Sequence, residues 1–194
     1  AAADAVCGGA QSICACAGRM GAEGVDLVLS EACRCSDSEE RAVDGVAQCG
    51  ATGVGLFRSE FLFLGRLELP SEDEQFEAYR KVAAAMKAHP VTIRTLDVGA
   101  DKRLDGLNLS GTTSALGLRA IRYCLSEPRL FLTQLRAILR ASQFGKVQIL
   151  IPMLSSSLEI KQALDMVKHA KEQLREANIA FDAGIKVGGM IEVP

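Results

Sequence analysis

Short runs of β-branched and aliphatic residues alternate with long amphipathic segments along most of this chain. That alternation marks βα units and a parallel sheet, because parallel strands can be joined only through a crossover, usually a helix. The predicted strands are Val25–Ser30, Val54–Arg58, Val91–Leu96, Val147–Pro152 and Lys186–Glu192. Several are apolar on both parities, the pattern of a strand covered on both faces. The first 24 residues, rich in Gly, Ala and Cys, show no such pattern and read as a lead-in to an organised region over 25–194.

The intervening segments carry helix start signals. Ser71-Glu72-Asp73-Glu74 after Pro70 and Ser156-Ser157-Leu158-Glu159 both have the capping-box spacing, in which the Ser hydroxyl and the Glu carboxylate satisfy each other's backbone amides. Phe76, Tyr79, Val82 and Met86 then recur at helical spacing, as do Ile160, Leu164, Val167 and Leu174. Glu127-Pro128 predicts a break between two helical stretches within 115–142, since Pro donates no backbone hydrogen. The string from Gly21 to Glu31 matches Gly50 to Glu60 at most positions, 29 residues later, a spacing that suits one βα unit.

A closed (β/α)8 TIM barrel uses eight strands and about 250 residues. Five predicted strands in 194 residues therefore point to about five βα units of an incomplete barrel, a piece of something larger.

Composition narrows the function. The chain is 48% hydrophobic and 24% charged, as a globular core requires. A net charge of −2 and 5% aromatic content leave no footprint for nucleic acid. No apolar run suggests membrane insertion and no secretory leader is discerned, so a cytoplasmic setting is expected. Six of the seven cysteines, Cys7, Cys14, Cys16, Cys33, Cys35 and Cys49, precede residue 50, and Cys124 stands alone. An odd count reads as reduced thiols. Cys14-Ala-Cys16 and Cys33-Arg-Cys35 are spaced more tightly than structural zinc sites usually are, which leaves a zinc or redox element as a minor alternative.

In parallel barrels ligands bind beyond the carboxyl ends of the strands. The polar residues there are Arg58 with Ser59 and Glu60, Arg94 with Asp97, Asp101 and Lys102, then Arg119 and Arg122, and finally Glu192. Converging arginines with a carboxylate suit a phosphorylated anion and a divalent metal, because guanidinium matches phosphate oxygens in a planar fork. The plainer reading is a set of ion pairs, with Glu60 or Asp97 as arginine partners. Arg136 and Arg140 read as a solvated helix face.

Gly53-Val54-Gly55-Leu56-Phe57-Arg58-Ser59-Glu60-Phe61-Leu62-Phe63 resembles a motif of the Enzyme I family of the bacterial sugar phosphotransferase system. Arg94 to Lys102, Ala115 to Arg122, Gln134 to Ser142 and Met190 to Pro194 resemble further motifs of that family in the same order. The likeness covers 53–194, is loose over 27–49 and is missing over the first 24 residues. It implies a phosphoenolpyruvate-utilising TIM barrel that transfers a phosphoryl group from phosphoenolpyruvate to a protein histidine with Mg2+. By the same resemblance, Arg58 and Arg94 hold the phosphoryl group, Arg119 and Lys102 add anion contacts, and Glu192 is one of two carboxylate ligands of the metal. A homodimer and the histidine phosphocarrier protein as partner are also implied.

The departures matter too. Neither His89 nor His169 matches the family's phosphorylated histidine, and both read as surface residues. The second metal carboxylate, a further arginine and the family's proton-donating cysteine belong to later strands, and Cys124 is not that cysteine. Ser110-Gly111-Thr112-Thr113-Ser114 stands where the family has acidic residues followed by Asn-Pro. The chain alone is therefore expected to show no turnover. A pyruvate phosphate dikinase or phosphoenolpyruvate synthase barrel and a non-catalytic dimerisation or binding remnant remain as alternatives.

Overall fold

The computed structural model describes residues 53–63, 66, 68–98 and 117–193. The predicted strand Val25–Ser30, the first copy of the repeat, the lead-in, the six early cysteines, Lys102 and the 110–114 loop lie outside the described residues.

Four of the predicted strands form one parallel sheet. They are β1 (Val54–Arg58), β2 (Pro90–Arg94), β3 (Lys146–Ile151) and β4 (Lys186–Gly189), hydrogen-bonded in chain order. The helices are α1 (Glu72–Met86), α2 (Ile121–Ser126), α3 (Pro128–Ala141) and α4 (Ser157–Glu176), with a 3-10 turn at Ser59–Leu62 directly after β1. Each strand thus pairs with the next one in sequence. Right-handed crossovers between such strands deliver their helices to one side of the sheet, and α3 packs between α1 and α4. The fold is a parallel α/β sheet backed by a helical layer.

The core lies between sheet and helices. Val91 and Ile93 of β2 and Val147, Ile149 and Ile151 of β3 are buried with Tyr79, Met86, Phe131, Leu135 and Ile138. The alternate residues Thr92, Arg94, Gln148 and Leu150 are only half-buried, so the two faces of the central strands are unequally covered.

Both capping boxes form. Ser71 Oγ accepts from the Glu74 amide at 3.2 Å while Glu74 accepts from the Ser71 amide at 2.8 Å, and Ser156 with Glu159 repeats the arrangement at 3.2 Å in both directions. Glu127 separates α2 from α3, and Pro128 takes the first turn of α3, where its missing N–H costs nothing.

Two helix-face expectations need correction. On α4, Val167 and Leu174 are buried but Ile160 and Leu164 are exposed, and the inward positions between them belong to Ala163 and Ala170. These small residues belong to the core cluster, and α4 packs on α3. Arg136 and Arg140 are not a solvated face either. They cross to α1, where Arg136 Nε and Arg140 Nη1 each donate to Glu72 at 2.7 Å and Arg140 also reaches Asp73 at 2.7 Å. The Arg140 guanidinium further stacks over Phe76, 4.3 Å from its ring centre. At the opposite end of this packing, Gly145 passes so near α1 that a Cβ there would lie 2.4 Å from the Ala83 carbonyl oxygen.

Candidate functional site

Parallel pairing sets the geometry of the carboxyl edge. Arg58 is the last residue of β1 and pairs in register with Arg94, the last residue of β2. Paired residues of neighbouring strands project to the same face, about 5 Å apart along the sheet. This is the face opposite the helices, since Val91 and Ile93 on the other parity fill the core. Arg58 is exposed and has no ion pair among the described residues.

Arg94 is enclosed by carboxylates. Its Nη2 donates to Glu60, two residues beyond Arg58, and its Nη1 lies 3.3 Å from Asp97. Asp97 accepts in turn from Arg119 Nε at 3.0 Å. Both carboxylates are buried. Burial pushes the Glu60 carboxyl above its ordinary value and the Arg94 charge pulls against that rise. Glu60 Oε2 and Arg94 Nε are buried without a hydrogen-bond partner. The plainer expectation, that Glu60 and Asp97 serve as arginine partners, is thus part of the arrangement. Both arginines are held in place by these carboxylates.

Arg119 and Arg122, one helical turn apart, serve different ends. Arg122 donates to the Gly117 carbonyl at 2.8 Å, to the Met153 carbonyl at 3.1 Å and to Glu159 at 3.2 Å. Met153 has a positive φ of 61° and Ala120, which precedes α2, one of 48°. A left-handed backbone at a side chain with a Cβ costs roughly 1–3 kcal/mol and concentrates where a site imposes it. These two residues bury with Val193 in a small apolar cluster of their own, drawn from the segments that follow β2, β3 and β4.

Glu192 lies in the segment after β4, where its Oε1 accepts the Met153 amide hydrogen at 3.0 Å. The Met153 peptide is therefore gripped from both sides, by Arg122 at its carbonyl and Glu192 at its amide. Glu192 is exposed. Among the described residues no cluster of three or more His, Cys, Asp or Glu side chains could cage a metal. No described helix is long and apolar enough to cross a membrane.

His89 and His169 are exposed, as expected. Cys124 is fully buried, its Sγ 4.0 Å from the Leu96 carbonyl oxygen. Burial, with a smaller contribution from the Asp97 charge, pushes its thiol up to about 12. Sequence reasoning passed over one residue of this region, Gln134. The signal was present as a lone amide among Phe131, Leu135 and Ile138, at positions where α3 should be apolar.

Arginines and carboxylates gather at the carboxyl edge of this parallel α/β sheet, the edge at which such folds bind their ligands. The chain belongs to the family of PEP-utilising enzymes, whose PEP-binding domain it matches over residues 35–194. It is similar to the phosphoenolpyruvate-protein phosphotransferase of Cupriavidus necator, with 60% identity over 149 residues, covering 75% of this chain and 25% of that protein. The protein of the same name from Bacillus subtilis is 47% identical over 153 residues, covering 78% and 27%. That from Staphylococcus aureus is 45% identical over 151 residues, covering 77% and 26%. The chain spans about a quarter of the length of these relatives.

Proposed function

We propose that the chain supplies the phosphoenolpyruvate-binding site of a phosphoenolpyruvate–protein phosphotransferase, and that the phosphoryl group passes from there to a protein histidine. The supporting observation is the register pair Arg58–Arg94, with Arg119 tethered beside it through Asp97. Phosphoryl transfer requires little covalent work from the protein but strong cationic positioning of the phosphoryl oxygens. Arg58, exposed at the strand end, takes the phosphoryl group first in this reading. Arg94 and Arg119 share it once their carboxylate partners have set their direction, and Lys102 adds a further contact.

Mg2+ belongs to the same reading. Magnesium binds through one or two carboxylates together with substrate oxygens. The exposed Glu192 carboxylate, with one oxygen fixed by the Met153 amide, fits as one such ligand. When bound, the ion neutralises charge on the phosphoenolpyruvate oxygens. Consecutive strand order and a single helical layer favour a (β/α)8 barrel as the complete fold. The histidine phosphocarrier protein as acceptor partner, a homodimeric parent, a cytoplasmic setting and service to sugar transport complete the proposal.

A second reading rests on Glu60 and Asp97. Two buried carboxylates balance Arg94 and Arg119, which is what a structural ion-pair network without substrate would show. Calorimetric titration of the chain with phosphoenolpyruvate separates the two. Saturable binding that strengthens with Mg2+ and weakens at least about tenfold in Arg58→Ala supports the phosphotransferase reading. Binding indifferent to both, or no binding, supports the network. A chain spanning about a quarter of its relatives' length is expected to release no pyruvate by itself.

A further inference from the structure

Beyond Arg58 and Arg94 the β1–β2 ladder ends, because β1 turns into the 3-10 segment and β2 into a loop. The Leu96 amide therefore has no strand to bond to. It donates instead to Gln134 Oε1 at 2.9 Å. The other end of the same side chain gives both of its hydrogens away, from Nε2 to Ser59 Oγ at 3.0 Å and to the Tyr79 hydroxyl at 3.1 Å. Tyr79 passes its hydrogen to Gln75 Oε1 at 3.4 Å, and Gln75 Nε2 ends on the Pro70 carbonyl at 3.0 Å. Gln134, Ser59 and Tyr79 are wholly buried and Gln75 nearly so.

We propose that Gln134 is a positioning residue for phosphoenolpyruvate binding, a role that rests on the function proposed above. Its amide continues the interrupted ladder in side-chain form, accepting from one strand end and donating to the other. Ser59 lies between Arg58 and Glu60, and Leu96 lies between Arg94 and Asp97, separated from Arg94 by one residue. Holding these two points holds the Glu60–Arg94–Asp97 group and spaces Arg58 from Arg94. An amide is suited to this because it offers two donors and an acceptor in one plane. A Glu lacks the donors and a Leu lacks everything. A buried amide is otherwise a poor choice for a helix face that packs Phe131, Leu135 and Ile138.

The test compares stability with ligand binding. Gln134→Leu is expected to melt lower and to bind phosphoenolpyruvate, with Mg2+ present, at least about tenfold more weakly than the unaltered chain. The double variant Ser59→Ala, Gln134→Leu removes the hydroxyl that the single change strands, while Tyr79 keeps its bond to Gln75, so it regains melting temperature. Binding in the double variant is expected to stay weak. Recovery of binding in step with melting temperature, or Gln134→Leu binding within about twofold of the unaltered chain, overturns the positioning role. If Gln134→Leu does not fold, the double variant alone decides by the same two readings. Failure of the unaltered chain to bind phosphoenolpyruvate overturns the proposed function, and the positioning role falls with it.

Discussion

Asp97 accepts the Nε hydrogen of Arg119 at 3.0 Å, tying the loop after β2 to the start of α2. The same carboxylate lies 3.3 Å from Arg94. One buried acid therefore orients two of the proposed phosphoryl-binding arginines, and the two strand-end arginines are far from equivalent.

Arg94→Ala and Arg58→Ala should part company in stability. Removing Arg94 leaves Glu60 buried without its guanidinium partner, while Asp97 keeps Arg119, a loss of about 3–5 kcal/mol. Removing exposed Arg58 should change stability by no more than about 0.5 kcal/mol. Urea unfolding of both variants checks this, and Arg58→Ala is consequently the cleaner probe of binding.

Acid should weaken the start of α4 in a defined direction. Burial tends to raise Glu159, but hydrogen bonds from Ser155 and from Arg122 outweigh it and hold the carboxyl below its ordinary 4.5. A carboxylate with a lowered folded pKa contributes stability above the unfolded value and loses it as pH falls through the folded one. Glu159→Gln should cost about 1–2 kcal/mol near neutral pH, with the difference vanishing once the medium is more acidic than the folded value. Unfolding curves for both proteins across that range supply the comparison.

Cys124 should resist alkylation. The thiolate is the reactive species, and a thiol raised to about 12 is almost wholly protonated at pH 8. Iodoacetamide labelling followed by peptide mass mapping should leave Cys124 unmodified in the native chain and modify it in urea.

Gly145→Ala should destabilise by about 1–3 kcal/mol, because the added methyl meets the Ala83 backbone oxygen rather than a movable side chain. Thermal melting gives the figure directly. Loss of less than a few tenths of a kcal/mol would mean that α1 can shift away without cost.

Local chemistry carried most of the fold. The Ser-x-x-Glu spacings at Ser71 and Ser156, Pro128 and the aliphatic strands act within a few residues of themselves, so their consequences are legible in order along the chain. What escaped reading depends on partners distant in sequence. Arg136 and Arg140 look solvated until Glu72 arrives from another helix, and Ile160 looks inward although Ala163 takes the buried position. At the site, the positions of Arg58 and Arg94 at strand ends and of Arg119 at a helix start followed from the predicted elements. The unequal exposure of Arg58 and Arg94 did not, because it arises from how a turn after β1 folds Glu60 back over the end of β2.

Gln134 has a consequence for synthesis. Strands that pair in chain order can assemble as they leave the ribosome, each closing on its predecessor. Gln134, however, lies 75 residues beyond the Ser59 it holds and 38 beyond Leu96. A nascent chain that has just released β2 already carries both arginines but not their spacer. The scaffold grows in the order of translation, while the spacing of the two arginines waits for α3 to dock.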